Sequence, residues 1–357
     1  MDKSNIEILK GLISLIKCNN GKFSSQDVIM LKGVNELLKV FNDEEFERLH
    51  PRDKDGKFAR SNGGSNTDDS NVKKLHIPSP EYKAILESIK ESNKQKITPA
   101  DIIESAVKNL ALDAKKVKQK IAEAEAYADT WDLDTKGRFS ENGVYTEERQ
   151  KLHDKILSNI FKNSELAKPP KGEKPTAIFL GGRGGSGKSK FDMPNEKRQS
   201  NLGVYDRSKY IVLDADEIKK ELKPEYKYNN ASEVHEESSD ILSMALEIAQ
   251  KEKLNVVLDA TMKTLSSTER KIKSFVDADY NIEMYYMHLP RVKAAERAIK
   301  RFTEDEKGRY VPLEELLKMK DNEENFDKLK HYASKWAFYN NDVPSEADLP
   351  LLIDKNY

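Results

Sequence analysis

Cysteine is almost missing from this chain. Among 357 residues only Cys18 is one, so no disulfide can form within it. Its stability must come from an apolar core, the habit of proteins in a reducing compartment. Long apolar runs are missing as well: none approaches the ~20 residues that a bilayer-spanning helix needs. The start, Met1-Asp2-Lys3-Ser4, leads into a short amphipathic pattern instead of a signal peptide, so the expected location is the cytoplasm, with no membrane partner. An excess of charge is missing too. The 61 basic and 62 acidic residues leave a formal net charge of −1. That balance argues against a chain built mainly to coat nucleic acid, though local patches remain open. The six histidines are scattered, with no His-x-x-x-His or Cys-x-x-Cys pair, so a protein-held zinc site is not expected.

What is present centres on Gly181-Gly182-Arg183-Gly184-Gly185-Ser186-Gly187-Lys188-Ser189, which directly follows the apolar run Thr176-Ala177-Ile178-Phe179-Leu180. From Gly182 to Ser189 it fits G-x-x-x-x-G-K-[ST], the Walker A phosphate loop. In that pattern a buried strand ends, a glycine-rich loop turns and a helix begins. Glycines allow successive N–H groups to point inward around a phosphate. A helix N-terminus adds partial positive charge. Lys188 is placed to reach the β- and γ-phosphates, and the Ser189 hydroxyl to ligate Mg²⁺. The bland alternative is a Gly/Ser linker, but a linker does not follow a strand of this kind. The expected ligand is a nucleoside triphosphate.

The length accommodates two or three domains. Apolar residues at helical spacing over 4–17 and from about Val28 to Phe46 suggest a helical hairpin, either a docking module or a plain packed pair. His50-Pro51-Arg52-Asp53-Lys54-Asp55-Gly56-Lys57-Phe58-Ala59-Arg60 reads as a solvated basic loop. It also resembles a short segment of tailed-phage head-assembly and phage-associated proteins. Residues 61–75 form a polar linker. Residues 76–130 read as charged helices capped at Ser79 and Thr98, serving as spacer, oligomerisation arm or partner-binding surface. Residues 131–357 form the nucleotide-binding domain.

Within it, strands alternate with helices, which predicts an α/β fold: a P-loop kinase-like parallel sheet with helices on both faces and an arginine-bearing lid. Strands are expected near 176–181, 209–214, 254–259 and 281–288, with a weaker one near 349–353. A helix is expected to start at Thr146-Glu147-Glu148 and to be ended by Pro169-Pro170, with others near 215–222, 232–252, 266–278, 291–302 and 312–335. Phe191-Asp192-Met193-Pro194 follows Ser189 so closely that the usual long helix after the loop must be short or interrupted.

Ligands of open parallel sheets bind at the carboxyl ends of strands. There Leu213-Asp214-Ala215-Asp216 offers two acids across a strand–helix turn. One can take a proton from an attacking hydroxyl while the other orients a metal's water shell; alternatively both merely cap the helix. Leu258-Asp259-Ala260-Thr261-Met262-Lys263 ends a fully apolar strand in an acid. Asp259 fits a second metal-site carboxylate or a contact to an acceptor, and the spacing does not separate these. Arg297, Lys300, Arg301 and Arg309 flank the polar tip Thr303–Gly308, as lid cations for a transferring phosphoryl group or as a solvated basic face. Ser232 to Asp240, with His235, Ser238 and Ser239, opens a long helix beside the site and can line the acceptor pocket.

Together these residues resemble the zeta toxin family of kinases over roughly residues 131–345. The likeness rests on Gly182–Ser189, Leu213–Asp216, Leu258–Thr261, and Arg301 with Arg309-Tyr310-Val311-Pro312. The lead-in Gly143–His153 is similar to the segment that precedes the fold in many phage members. The resemblance implies transfer of phosphate from ATP or GTP, with Mg²⁺, to a hydroxyl of a small acceptor such as UDP-N-acetylglucosamine. It makes Lys188 and Ser189 the triphosphate and metal contacts, with Gly182, Arg183, Gly184, Gly185, Ser186 and Gly187 around them. It makes Asp216 the base and Arg301 and Arg309 the phosphate-stabilising arginines. Asp259 and Thr261, with Lys263 and Asp214 beside them, fall on the acceptor side. Asp259 stands where the toxins carry glutamate, Lys263 where arginine is usual, and Ser243 near an expected acid. Such kinases imply an antitoxin partner. The alternatives are a phage structural or injected protein that retains nucleotide binding in the virion, and a polynucleotide or tRNA kinase.

Overall fold

The computed structural model describes residues 76–128, 133–196, 198–222, 225, 231–305 and 308–357. The chain divides into the units Met1–Lys74 and Leu75–Tyr357; the described residues all belong to the second. The expected hairpin over 4–46, the His50–Arg60 segment with its phage likeness, and the whole linker over 61–75 lie outside them. No described helix is long and apolar enough to cross a membrane.

Three helices come first: α1 (Pro80–Lys94), α2 (Pro99–Asn109) and α3 (Ala114–Ala128). Local chemistry fixes their starts. The Ser79 hydroxyl accepts from the Tyr82 amide, and Thr98 with Asp101 forms a reciprocal capping box. Helix α4 (Thr135–Phe139), the short hairpin β1 (Ser140–Glu141) and β2 (Val144–Tyr145), and α5 (Glu147–Phe161) lead into the sheet.

The sheet alternates with helices as expected: β3 (Thr176–Gly181), β4 (Ile211–Leu213), α6 (Ala215–Glu221), α7 (His235–Lys251), β5 (Val256–Asp259), α8 (Leu265–Asp277), β6 (Asn281–His288) and α9 (Arg291–Glu304). The expected helix over 312–335 is instead α10 (Leu313–Leu317), α11 (Asn322–Leu329), one 3₁₀ turn at Lys330–Tyr332, and then a strand, β7 (Lys335–Asn340). The reason is visible in Trp336-Ala337-Phe338-Tyr339, four consecutive buried apolar residues rich in β-forming aromatics. Strand β8 (Leu351–Lys355) closes the chain.

The strand order is β4-β5-β3-β6-β7-β8, with every neighbour parallel except the β7–β8 pair. Alternation along β3 divides the core. Ala177 and Phe179 pack with Leu213, Leu258, Tyr286 and Phe338 under α5, α7, α8 and α11. Ile178 and Leu180 pack on the opposite face with Val257 and Tyr285. There Phe191, Leu202, Val204 and Tyr205 supply the cover. They belong to the irregular segment after the single 3₁₀ turn Lys188–Phe191, so the interruption expected from Pro194 places loop side chains where a long helix would pack.

A buried ion pair ties the top of the sheet together. Glu323 of α11 is fully buried, and its Oε2 accepts from Arg183 Nη2 at 2.6 Å while its Oε1 accepts from Arg183 Nη1. Arg183 Nε donates to the Met319 carbonyl at 2.8 Å, and His288 Nδ1 at the end of β6 lies 2.8 Å from Glu323 Oε1. Burial raises the pKa of this carboxyl, but Arg183 and His288 more than offset it and hold it at about 2. Removing one partner strands a buried charge, so Glu323→Leu should lower the unfolding free energy by about 3–5 kcal/mol, and the double variant Arg183→Met/Glu323→Leu should recover most of it. Urea titration of the two variants checks both outcomes.

Candidate active site

The glycine-rich loop leaves β3 at Gly181 and ends in the 3₁₀ turn at Lys188. Gly185 has φ +85°, and a Cβ there would run into the Ala294 carbonyl of α9. The loop therefore rests directly on helix backbone, an approach only glycine permits. Asn341, just past β7 and fully buried, donates from Nδ2 to the Ser186 carbonyl at 2.8 Å. Lys188 Nζ donates to the Gly182 carbonyl at 2.9 Å and lies 3.4 Å from Asp259 Oδ1.

Opposite the loop stand the acids. Asp214 ends β4 and caps α6, its Oδ1 accepting from the Asp216 amide at 2.8 Å. Asp216, in the first turn of α6, turns a 39% exposed side chain to the cavity, where its carboxylate meets Arg309 and lies 3.2 Å from Lys219 Nζ. Asp259, at the end of β5, is 29% exposed. Removal from water, with Asp214 adding repulsion and Lys188 only partly compensating, pushes its carboxyl up to about 6. Burial also raises the Asp214 pKa. The cationic wall is α9, whose Arg297, Lys300 and Arg301 face the same space, joined by Arg309.

These groups enclose a cavity of about 790 Å³. Of the residues singled out from the sequence, it brings together Gly184, Gly185, Gly187, Lys188, Ser189, Asp214, Asp216, Asp259, Arg301 and Arg309. Gly182 and Ser186, though part of the loop, are not on the cavity wall. Arg183 borders the cavity, but its guanidinium is turned to Glu323. Thr261 and Lys263 fall outside the lining. The Thr261 hydroxyl accepts from the Lys263 amide at 3.3 Å, its carbonyl accepts from Asn322, and Lys263 Nζ pairs with Glu315 of α10 at 2.6 Å.

The Ser232–Asp240 stretch is used differently from the pocket lining expected of it. Ser238 and Ser239 donate back to the His235 carbonyl at 2.8 and 2.9 Å. Glu237 is buried against Arg149 and His153, and Asp240 accepts from Tyr145 and Lys136. The sequence reading missed Asn341 and Lys190. No strand is expected between 335 and 349, and a carboxamide directly after a parallel strand points to a ligand-binding edge only when the strand is recognised. Lys190 Nζ donates to Asn341 Oδ1 at 3.1 Å.

The residues present fit Mg²⁺. No group of three or more His, Cys, Asp or Glu able to hold a metal occurs among the described residues. Magnesium at phosphoryl-transfer sites, however, needs only one or two protein oxygens beside phosphates and waters. Ser189, Asp214 and Asp259 all line the cavity, which puts one hydroxyl and two carboxylates beside the phosphate loop.

The family model described as "Zeta toxin" matches residues 160–342. No curated protein matches the chain. Among solved structures, the chain is similar to one from the PezAT chromosomal toxin–antitoxin system of Streptococcus pneumoniae (15% identity, 59% of this chain and 82% of that one, TM-score 0.40). It is also similar to AvrRxo1-ORF1:-ORF2 with ATP (16% identity, 60% and 68%, TM-score 0.44). The Pnkp1/Rnl/Hen1 RNA repair complex shares less (19% identity, 45% and 47%, TM-score 0.30). Likenesses of this depth carry no functional weight; the family match does.

A carboxyl at about 6 in the folded chain against about 3.9 unfolded means that the native state holds its proton longer. Stability should therefore fall as pH rises through that window, with the whole penalty present above it. Asp259→Asn should stabilise the metal-free protein at pH 7.5 and lose that advantage near pH 4, read by urea unfolding in EDTA.

Proposed function

The chain belongs to the zeta toxin family, and on that premise we propose that this nucleotide-dependent kinase moves the γ-phosphoryl group of ATP or GTP to a hydroxyl of a small acceptor. A nucleotide sugar of the UDP-N-acetylglucosamine kind is the acceptor implied by the resemblance. The single observation that supports this most is the cavity itself. It gathers the phosphate loop, a partly exposed carboxylate and the arginine-bearing helix around a volume of about 790 Å³.

The loop amides cradle the triphosphate, and Lys188 exchanges the Gly182 carbonyl for phosphate oxygens. Ser189, with Asp214 or Asp259, would hold Mg²⁺, which when bound supplies charge compensation to the β- and γ-phosphates. Asp216 accepts the proton of the acceptor hydroxyl as that oxygen bonds to the γ-phosphorus. The bond from phosphorus to the β,γ-bridging oxygen breaks, and the nucleoside diphosphate leaves. Arg309 and Arg301 meet the charge spread over the phosphoryl oxygens, a stabilisation realised most fully in the transition state.

Asp216 and Lys188 make separable contributions. Loss of a positioned base costs about 10²–10⁴-fold in rate. Asp216→Ala should therefore lose transfer while binding nucleotide with nearly unchanged affinity, whereas Lys188→Ala should lose both. Labelled phosphate transfer from ATP and GTP to nucleotide sugars, small metabolites and 5′-hydroxyl oligonucleotides is the assay. Wild-type transfer by Asp216→Ala would remove the assignment of Asp216 as the base.

A further inference from the structure

The helices that precede the kinase fold are packed onto its lid. Helix α9 has two working faces. One carries Arg297, Lys300, Arg301 and Glu304 into the cavity. The other buries Ala295, Ile299 and Phe302 against Ile102 and Ala106 of α2 and Val117, Ile121 and Ala124 of α3. The spacing of three and four residues that lines up the cations also lines up this apolar stripe.

Polar contacts fix the register of this packing. Glu296, 4% exposed, accepts from Asn109 Nδ2 at 2.9 Å and from the Ser105 hydroxyl. The strap after α9 is held likewise. Gly308 lies so close to the end of α9 that a Cβ would meet the Arg301 backbone. Next to it, Arg309 reaches Asp216, while Tyr310 turns the other way, packs on Phe302 with ring centroids 5.0 Å apart, and donates from Oη to Glu125 Oε1 of α3 at 2.7 Å. The tyrosine is 3% exposed, and its carbonyl accepts from the Ala231 amide at 3.3 Å.

We infer that α2 and α3 are a positioning element of the active site, and that the Tyr310–Glu125 hydrogen bond sets the aim of Arg309 at the reacting centre. The inference rests on the kinase reading above. Neither Tyr310 nor Glu125 touches the cavity; both act through the neighbouring arginine. Arg309 enters the cavity from a strap, and a strap has no ladder of its own to fix a side chain. Its direction is set by what the adjacent residue is tied to, and Tyr310 is tied to a helix outside the sheet. Misplacement of a transition-state cation by about 1 Å costs up to 10²-fold without a matching loss of ground-state binding.

The test is the slow hydrolysis of MgATP by the full chain, with water standing in for the acceptor, in wild type, Tyr310→Phe, Glu125→Ala, Glu125→Gln and the double variant Tyr310→Phe/Glu125→Ala. Rates are taken well below each variant's melting temperature, and affinity is read with a fluorescent ATP analogue. Expected is a fall in kcat of about 10-fold in Tyr310→Phe and Glu125→Ala, with nucleotide affinity changed less than about 2-fold. The double variant should be no worse than either single one, because both remove one interaction. Glu125→Gln, which still offers an oxygen to the tyrosine hydroxyl, should recover most of the rate. A purely structural role would lower the melting temperature and leave kcat alone; that result, in a wild type that hydrolyses ATP, overturns this inference and spares the kinase reading. A wild type that neither binds nor hydrolyses ATP removes both.

Discussion

The contact between Gly185 and the Ala294 carbonyl constrains everything else at the site. No side chain fits between the phosphate loop and α9, so the loop is laid on helix backbone. One consequence is geometric. The helix that seats the loop also carries Arg297 and Arg301, so the nucleotide cradle and the cationic wall share one rigid body. Another is architectural. With α9 fixed at its start by the loop, its outer stripe of Ala295, Ile299 and Phe302 has to be buried by something, and α2 and α3 do so. An apolar stripe of this kind left in water would forgo about 25 cal/mol per Å² of buried area.

The electrostatics follow from packing charges around a cavity that must also close on a polyanion. Lys188 lies near Asp259, Asp216 meets Arg309 and lies near Lys219, and Lys263 pairs with Glu315. Each pair limits the desolvation cost of its members, and none is so deeply buried that it could not exchange partners. The Arg183–Glu323 pair differs: it is sealed, shared with His288, and structural. Position within one glycine-rich loop thus decides two fates for a cation. Lys188 keeps a partly open route to the cavity, whereas Arg183 is spent on holding α11 to the end of β3.

Much of this was legible in the chain because it is written locally. A strand–glycine loop–lysine pattern, an acid at a strand end, and an acid opening a helix are each specified within ten residues, and all of them line one cavity. What was not legible depends on partners far apart in sequence. Thr261 and Lys263 stand two and four residues after Asp259, yet Asn322 and Glu315 draw them out of the lining. Strand β7 was hidden because the charged helical pattern of 312–332 runs straight into it. Only the aromatic cluster Trp336–Tyr339, buried on both faces between β6 and β8, separates the two. With β7 went Asn341, the residue that ties the loop to the sheet. The caps at Ser79 and Thr98 located α1 and α2, but no pattern within those helices says that α2 faces a lid.

On the kinase reading proposed above, the Arg309–Asp216 contact orders the events of transfer. The Arg309 guanidinium occupies one oxygen of the Asp216 carboxylate, the oxygen a base would need. A triphosphate in the loop presents more negative charge to Arg309 than one carboxylate does. The nucleotide, on the proposed kinase reading, competes with Asp216 for Arg309. An Asp216 oxygen released by Arg309 is, on that reading, free for the acceptor hydroxyl, with Lys219 Nζ 3.2 Å from the same carboxylate. Arming of the base is, on that reading, a consequence of filling the phosphate site. On the same reading, an acceptor that arrives first meets a carboxylate already engaged by Arg309, so a productive encounter requires the nucleotide to be in place.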